Sequence, residues 1–198
     1  MLRGIQRNLP SEWAYNQAGQ RIGWLGLRRF KRGTMAETRK PTEMLKDEHK
    51  AVLQKLTALE NDINRLDKRE VISAELKELA AFFESEFWTH FDKEEKALFP
   101  EFDSFMPHGA GPIAVMLQEH VVLRETNDVM QGAIKRYLKG AEDAETKRII
   151  NQNGSHFVNF LRSHINKEDS ILFMMADMHL DQKQNEKVAR LFQEMDKH

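Results

Sequence analysis

His90-Phe91-Asp92-Lys93-Glu94-Glu95-Lys96-Ala97-Leu98-Phe99 is written a second time as His164-Ile165-Asn166-Lys167-Glu168-Asp169-Ser170-Ile171-Leu172-Phe173. Both copies read H-x-x-K-E-[ED]-x-x-L-F. In each, a histidine and a glutamate stand four residues apart, which on an α-helix is about 40° around the surface and one turn along it. Each copy is a chelating pair, so the decapeptide asks for helices and for something to chelate.

Outward from the repeat, the apolar period is helical almost everywhere beyond Pro41. A first helix runs from Pro41 to about Asp67, with Thr42 as its cap, Glu43 in the first turn, and a stripe of Leu45, Val52, Leu53, Leu56 and Ile63 interrupted by His49. A second runs from about Val71 to Leu98 and carries Leu76, Leu79, Phe83, Phe87 and Ala97 on the face of His90 and Glu94; Pro100 ends it. After a turn with Pro107, Gly109 and Gly111, a third helix opens on Pro112 and stops at Gly140. Its stripe is Ile113, Met116, Leu117, Leu123, Ile134 and Leu138, centred on His120. The fourth, from about Asp143 to Met175, buries Ile150, Phe157, Phe160, Leu161, Ile171 and Met175 in phase with His164 and Glu168. Val188, Leu191, Phe192 and Met195 mark a shorter fifth helix after Leu180. Long amphipathic helices with short connections predict an all-α chain, an antiparallel up-and-down four-helix bundle with a short fifth C-terminal helix.

Within that bundle the chain repeats itself. Glu48-His49 precedes the first decapeptide and Glu119-His120 the second, with His-to-His spacings of 41 and 44 residues. The bundle centre thus receives His49, His90, Glu94, His120, His164 and Glu168, where apolar side chains are otherwise expected. A lone histidine on an apolar stripe is more often a hydrogen-bonded core residue, and a lone H-x-x-x-E an i,i+4 contact. The joint pattern differs, because each buried carboxylate without a cation costs several kcal/mol or must take up a proton. Cations among the six explain it more simply.

Composition narrows the chemistry. The chain has 198 residues, 40% of them apolar, a formal charge of −1 and no cysteine. Thiolate sites, disulfides and thiol nucleophiles are excluded, so a metal must be held by His, Asp or Glu. No run of apolar residues approaches a membrane span, and the near-zero charge gives no basic field for nucleic acid. Imidazole and carboxylate suit Fe, Mn or Zn. Six ligands exceed the needs of one tetrahedral zinc. Two metals sharing two bridging glutamates would each have two imidazoles and two carboxylate oxygens, and an oxo or hydroxo bridge would make each about five-coordinate. Two non-haem iron ions are the natural choice; a structural zinc or manganese bundle is the third alternative. With so much neutral imidazole, the ferrous state is favoured, and binding a small diatomic ligand is the better expectation than oxidising C–H bonds.

Charge also divides the chain. Residues 1–40 carry nine Lys or Arg against Glu12 and Glu37, leaving 21 basic and 29 acidic side chains in residues 41–198. This basic leader shows no sustained period and reads as a disordered piece before a helical domain spanning 41–198. It lacks the apolar core of a secretory signal; its arginines suit an organellar transit peptide in a eukaryotic source, and a start at Met35 would make residues 1–34 a non-native extension. The expected location is cytoplasmic, or organellar if the leader is a transit peptide.

Together with Leu98-Phe99-Pro100 and the run from Gly111 to His120, the pattern of His49, His90 to Glu94, His120 and His164 to Glu168 resembles the hemerythrin-like (HHE cation-binding) domain family over about residues 41–195. The resemblance implies an up-and-down bundle around a non-haem di-iron centre, with the four histidines as terminal ligands and Glu94 and Glu168 as bridges. Oxygen-carrying members have a second histidine one turn after the ligand on the third helix, where this chain has Arg124, and close the last helix with H-x-x-x-x-D rather than H-x-x-x-E. The site is therefore similar to the symmetric four-His, two-Glu variant of bacterial hemerythrin-like and iron-repair proteins. Members that repair iron centres usually carry a cysteine-containing amino-terminal domain, which is not seen here.

Arg124 is nearly in phase with His120 and is expected either over the site or at the bundle edge. Asn127 and Asn153 share the inward stripes and are candidate donors to the ligands. Tyr137 is placed on a flank, His108, His156, His179 and His198 at the surface or in loops, and Met174, Met175 and Met178 in the core. Function divides between binding or sensing oxygen, nitric oxide or iron status, and an enzyme that reduces peroxide or nitric oxide in stress defence. The implied partners are a diatomic ligand or peroxide and an unidentified electron donor, without nucleic acid or membrane.

Overall fold

The computed structural model describes residues 14–15, 21–22, 39–107 and 111–197. The chain divides into two units, 1–38 and 39–198. In the first, β1 (Ala14–Tyr15) pairs antiparallel with β2 (Arg21–Ile22), Ala14 opposite Ile22. The expected disorder of the leader otherwise concerns residues outside those described, as do His108 and His198.

The second unit is all-helical. It comprises α1 (Pro41–Ile63), α2 (Arg69–Ala81), α3 (Trp88–Lys93), α4 (Gly111–Leu138), α5 (Ala144–Lys167), α6 (Phe173–His179) and α7 (Gln182–Met195). A π-helical turn, Phe82–Glu86, joins α2 to α3; further π turns, Glu94–Leu98 and Glu168–Leu172, follow α3 and α5. The second and fourth predicted helices are thus single rods with wider turns inside them, and the first π turn of each chelating motif begins on its glutamate. Among the described residues, no helix is long and apolar enough to cross a membrane.

Helix ends follow local chemistry. Pro41 opens α1, where its missing N–H costs nothing. Thr42 is not the cap: Lys40 occupies that position, and the Thr42 hydroxyl instead donates to Asp177 Oδ1 at 2.8 Å. The helix also ends at Ile63 rather than near Asp67. Asp143 caps α5 by accepting from the Thr146 N–H, and Asp181 forms a reciprocal capping box with Gln184 on α7. Gly140, at φ 107°, terminates α4 in a conformation that a side chain would disfavour.

The rods pack α1 on α2, α2 on α4, α4 on α5 and α5 on α1. Their core is in two parts. One cluster holds Val52, Phe83, Phe87, Phe91, Leu123, Phe157 and Leu161; the other holds Leu45, Leu98, Phe99, Met116, Leu172, Phe173 and Phe192. Along α1 and α4 the break between them falls at His49 and His120, and past α5 it falls at Glu168, between Ile165 and Leu172. A polar layer therefore divides the apolar interior.

Four placements from helical phase need correction. Tyr137 is fully buried, and its hydroxyl donates to the Leu66 carbonyl at 2.7 Å. Leu117, expected inward, is exposed. Ile171 is 48% exposed, because it lies within a π turn that rotates it off the α-helical phase. Met174 and Met178 are exposed rather than core-filling, and Met175 is only partly buried. His156 and His179 are exposed, as expected.

Candidate metal centre

Six polar side chains meet in the layer between the two apolar clusters. His49 comes from α1, His90 from α3, His120 from α4 and His164 from α5, while Glu94 and Glu168 stand at the first residue of their π turns. All six are buried. Ligand atoms of His49, His90, Glu94 and Glu168 lie within 4.8 Å of one another, and so do those of Glu94, His120, His164 and Glu168. The two glutamates are common to both groups.

The imidazoles face each other in pairs through Nε2. His49 and His90 approach to 3.0 Å, and His120 and His164 to 3.1 Å. Each carboxylate spans the pairs. Glu94 places Oε1 3.3 Å from His90 Nε2 and Oε2 3.4 Å from His120 Nε2. Glu168 places Oε1 3.1 Å from His164 Nε2 and Oε2 3.3 Å from His49 Nε2. The cage has twofold pseudosymmetry, as the doubled sequence suggests.

A second layer of carboxylates fixes the rings. His49 Nδ1 donates to Asp169 at 2.9 Å, His90 Nδ1 to Glu48 at 2.7 Å, His120 Nδ1 to Glu95 at 2.6 Å and His164 Nδ1 to Glu119 at 2.9 Å. A proton held on Nδ1 leaves the Nε2 lone pair pointing inward, the tautomer a metal ligand needs. Cations back these acids in turn. Lys93 donates to Glu48 at 2.5 Å, Lys167 to Glu119, and Arg124 to Glu95 at 2.9 Å.

Apart from its leucine, which enters the second apolar cluster, every recurrent letter of the decapeptide has a place around the cage. Its histidine and glutamate enter the cage, and its lysine holds the glutamate that precedes the lone histidine of its own half. The acid after the caged glutamate grips the lone histidine of the other half: Glu95 holds His120, and Asp169 holds His49. Its terminal phenylalanine stacks on that same ring, Phe99 on His120 and Phe173 on His49. The halves interlock. Glu48, Glu95, Glu119, Asp169, Lys93 and Lys167 were not singled out from sequence, although Glu48 and Glu119 each directly precede a lone histidine and the remaining four recur in the repeat.

Of the three residues expected to support the ligands, only Arg124 is connected to one. It does not lie over the cage but sits beside Trp88 and Phe91 with its charge on Glu95. Asn127 Nδ2 donates to the Phe83 carbonyl and Asn153 Nδ2 to the Ile149 carbonyl, so neither serves a ligand. A cavity of about 220 Å³ reaches His90, Glu48 and Lys93, and one of about 80 Å³ ends on Glu95.

The residues fit metal ions on their own chemistry. Both oxygens of Glu94 and both of Glu168 are buried without a hydrogen-bond partner. Orphaned buried carboxylates are rare and costly. Two lone pairs 3.0 Å apart repel unless a cation lies between them, and donors about 2.1 Å from one ion at right angles are themselves about 3 Å apart. The field of the cage likewise calls for positive charge. Burial works to lower the His90 pKa, yet the charge of Glu94 and the hydrogen bond to Glu48 push it up to about 10. Burial works to raise Glu94, yet His90 and His120 hold it well below the usual carboxylate range.

Residues 40–176 match the hemerythrin HHE cation binding domain, and the chain belongs to that family. It is similar to the iron-sulfur cluster repair protein YtfE of Salmonella paratyphi B, Salmonella newport and Salmonella heidelberg, with 31% identity over 133 residues in each case. The match covers 66% of this chain and 60% of each relative.

Proposed function

We propose that this is a di-iron binding protein that takes up a small diatomic ligand, oxygen or nitric oxide, or reports iron status. The observation that carries the reading is the set of four unpartnered carboxylate oxygens facing the Nε2 atoms of four imidazoles. In this reading His49 and His90 hold one ion, His120 and His164 the other, and Glu94 and Glu168 bridge them. The short turns between rods and their side-by-side packing support an antiparallel up-and-down four-helix bundle, with α7 as the added fifth helix. Bound iron supplies one-electron chemistry and open positions for a small ligand. The chain's own residues hold the imidazoles in one tautomer, exclude bulk water from a fully buried cage, and keep charge balanced through the outer lysines and arginine.

A second reading, repair of iron-sulfur clusters, is favoured by the similarity to the iron-sulfur cluster repair protein of Salmonella and by a match that lies in the helical domain. Reduction of peroxide or nitric oxide at the same centre is the enzymatic alternative. Anaerobic loading with ferrous iron, followed by titration with oxygen, nitric oxide and hydrogen peroxide under absorbance, separates them. Stoichiometric uptake of a diatomic ligand is expected. Turnover of peroxide or nitric oxide beyond stoichiometry would favour the enzyme, and release of iron to an apo iron-sulfur protein would favour repair. Zinc or manganese retained in place of iron would overturn the iron assignment.

A further inference from the structure

The two halves of the cage are alike inside and unlike outside. In the second half, Lys167 backs Glu119 and Arg124 backs Glu95: two cations stand against two carboxylates. In the first half, Asp169 holds His49 with no cation on it among the described residues, and Lys93 must serve two acids. Besides Glu48, Lys93 Nζ donates to Asp196 Oδ1 at 2.6 Å. Three carboxylates there stand against one ammonium.

Asp196 immediately follows α7, beyond the stretch of residues 40–176 that matches the family. The helix is firmly seated. Val188 and Phe192 are buried in the second core cluster, and Lys187 and Gln184 both bond Glu101 on the turn after the first decapeptide. Its effect on the repeat is plain from the two lysines. Lys93 lies beneath α7 and is 3% exposed, whereas its counterpart Lys167 has a third of its side chain in solvent.

We propose that Asp196 is a positioning residue for the metal centre: acting through Lys93 and Glu48 on His90, it makes the two halves unequal, so that metal ions load in two distinguishable steps with the His49–His90 half the tighter. The inference rests on the two-metal reading above. Asp196 shares the charge of Lys93, leaving more negative charge on Glu48. A more basic Glu48 draws harder on the Nδ1 proton of His90 and enriches the Nε2 lone pair. Asp169, free of a cation, does the same for His49. Arg124 and Lys167 withdraw charge from Glu95 and Glu119, weakening His120 and His164. All four outer contacts therefore bias the cage in one direction.

Titration of the intact, metal-stripped protein with cobalt(II), followed by visible absorbance and by calorimetry, tests this. Two resolved steps are expected for the native chain. Asp196→Asn keeps the shape and removes the charge, and weakens the first step about fivefold while leaving the second in place. Asp196→Glu restores the separation. Arg124→Gln strengthens the second step toward the first. The ratio of the two constants is the readout, since a general loss of stability would lower both together. A ratio unchanged by Asp196→Asn overturns the proposal. A native chain that binds two ions in indistinguishable steps also overturns it while leaving the two-metal reading intact, whereas fewer than two ions overturns that reading itself.

Discussion

The decapeptide at His90–Phe99 and its echo at His164–Phe173 place the same atoms around one centre, but their surroundings differ. The first copy lies under α7, its lysine buried and divided between Glu48 and Asp196; the second keeps its lysine at the surface with Glu119 alone. The acid after each caged glutamate differs in the opposite sense, since Glu95 is backed by Arg124 and Asp169 is not. The doubled motif thus preserves the inner side chains and a carboxylate on each Nδ1, while the outer charges are free to diverge. A symmetric cage in an asymmetric field is what the sequence encodes.

The strongest way to break the comparison is at its shared members. Glu94→Ala and Glu168→Ala are expected to reduce bound metal from two ions to one or none, measured by elemental analysis after anaerobic loading. Unchanged metal content in both variants would refute the bridging roles.

Next in size is removal of the metal. Chelation should lower the melting temperature by roughly 5–10 °C, as expected when ligand at about a hundred times its Kd contributes about 2.7 kcal/mol to a domain of this size. A chelator that leaves the transition unmoved would mean that the native chain held no ion. Smaller still are Glu48→Gln and Glu119→Gln, each expected to weaken one binding step by about 10–100-fold and to spare the other, read in the same cobalt titrations. Equal weakening of both steps by either change would show that the halves are not separable.

The smallest effect sets a buried carboxylate outside the cage beside those within it. Asp62 is buried on α1 with Oδ1 on Arg65 and Oδ2 unpartnered. Burial, with the nearby charge of Glu75, raises its pKa above the ordinary 3.8. The folded chain then holds that proton more tightly than the unfolded one, so the group favours folding at low pH and loses that advantage as pH rises through the two pKa values. Asp62→Asn should therefore stabilise the protein by about 1 kcal/mol at neutral pH and by almost nothing below pH 3.8. A loss of stability at neutral pH would mean that the pairing with Arg65 outweighs the burial of Asp62.

Much of this was legible in the residues. The all-helical class followed from period alone, and the convergence of His49, His90, Glu94, His120, His164 and Glu168 followed from their shared phase and doubled spacing. What escaped was of two kinds. The π turns at Glu94 and Glu168 leave no mark in composition, and a straight α-helical phase carried past them turned Ile171 inward when it faces solvent. Outer carboxylates such as Glu95 and Asp169 occupy positions that a helical wheel assigns to a flank, where an acid ordinarily meets water. Only the interlocking of the halves, each lone histidine gripped by the other copy, gives them a partner. Arg124 was rightly marked as distinctive, but it acts on Glu95 and not over the cage.

Anomalous diffraction at the iron edge, on crystals of the ferrous-loaded chain, addresses the central claim most directly. Two peaks are predicted, one coordinated by His49 and His90 and one by His120 and His164, with Glu94 and Glu168 each reaching both. A single peak, or two that do not share the glutamates, would contradict the account.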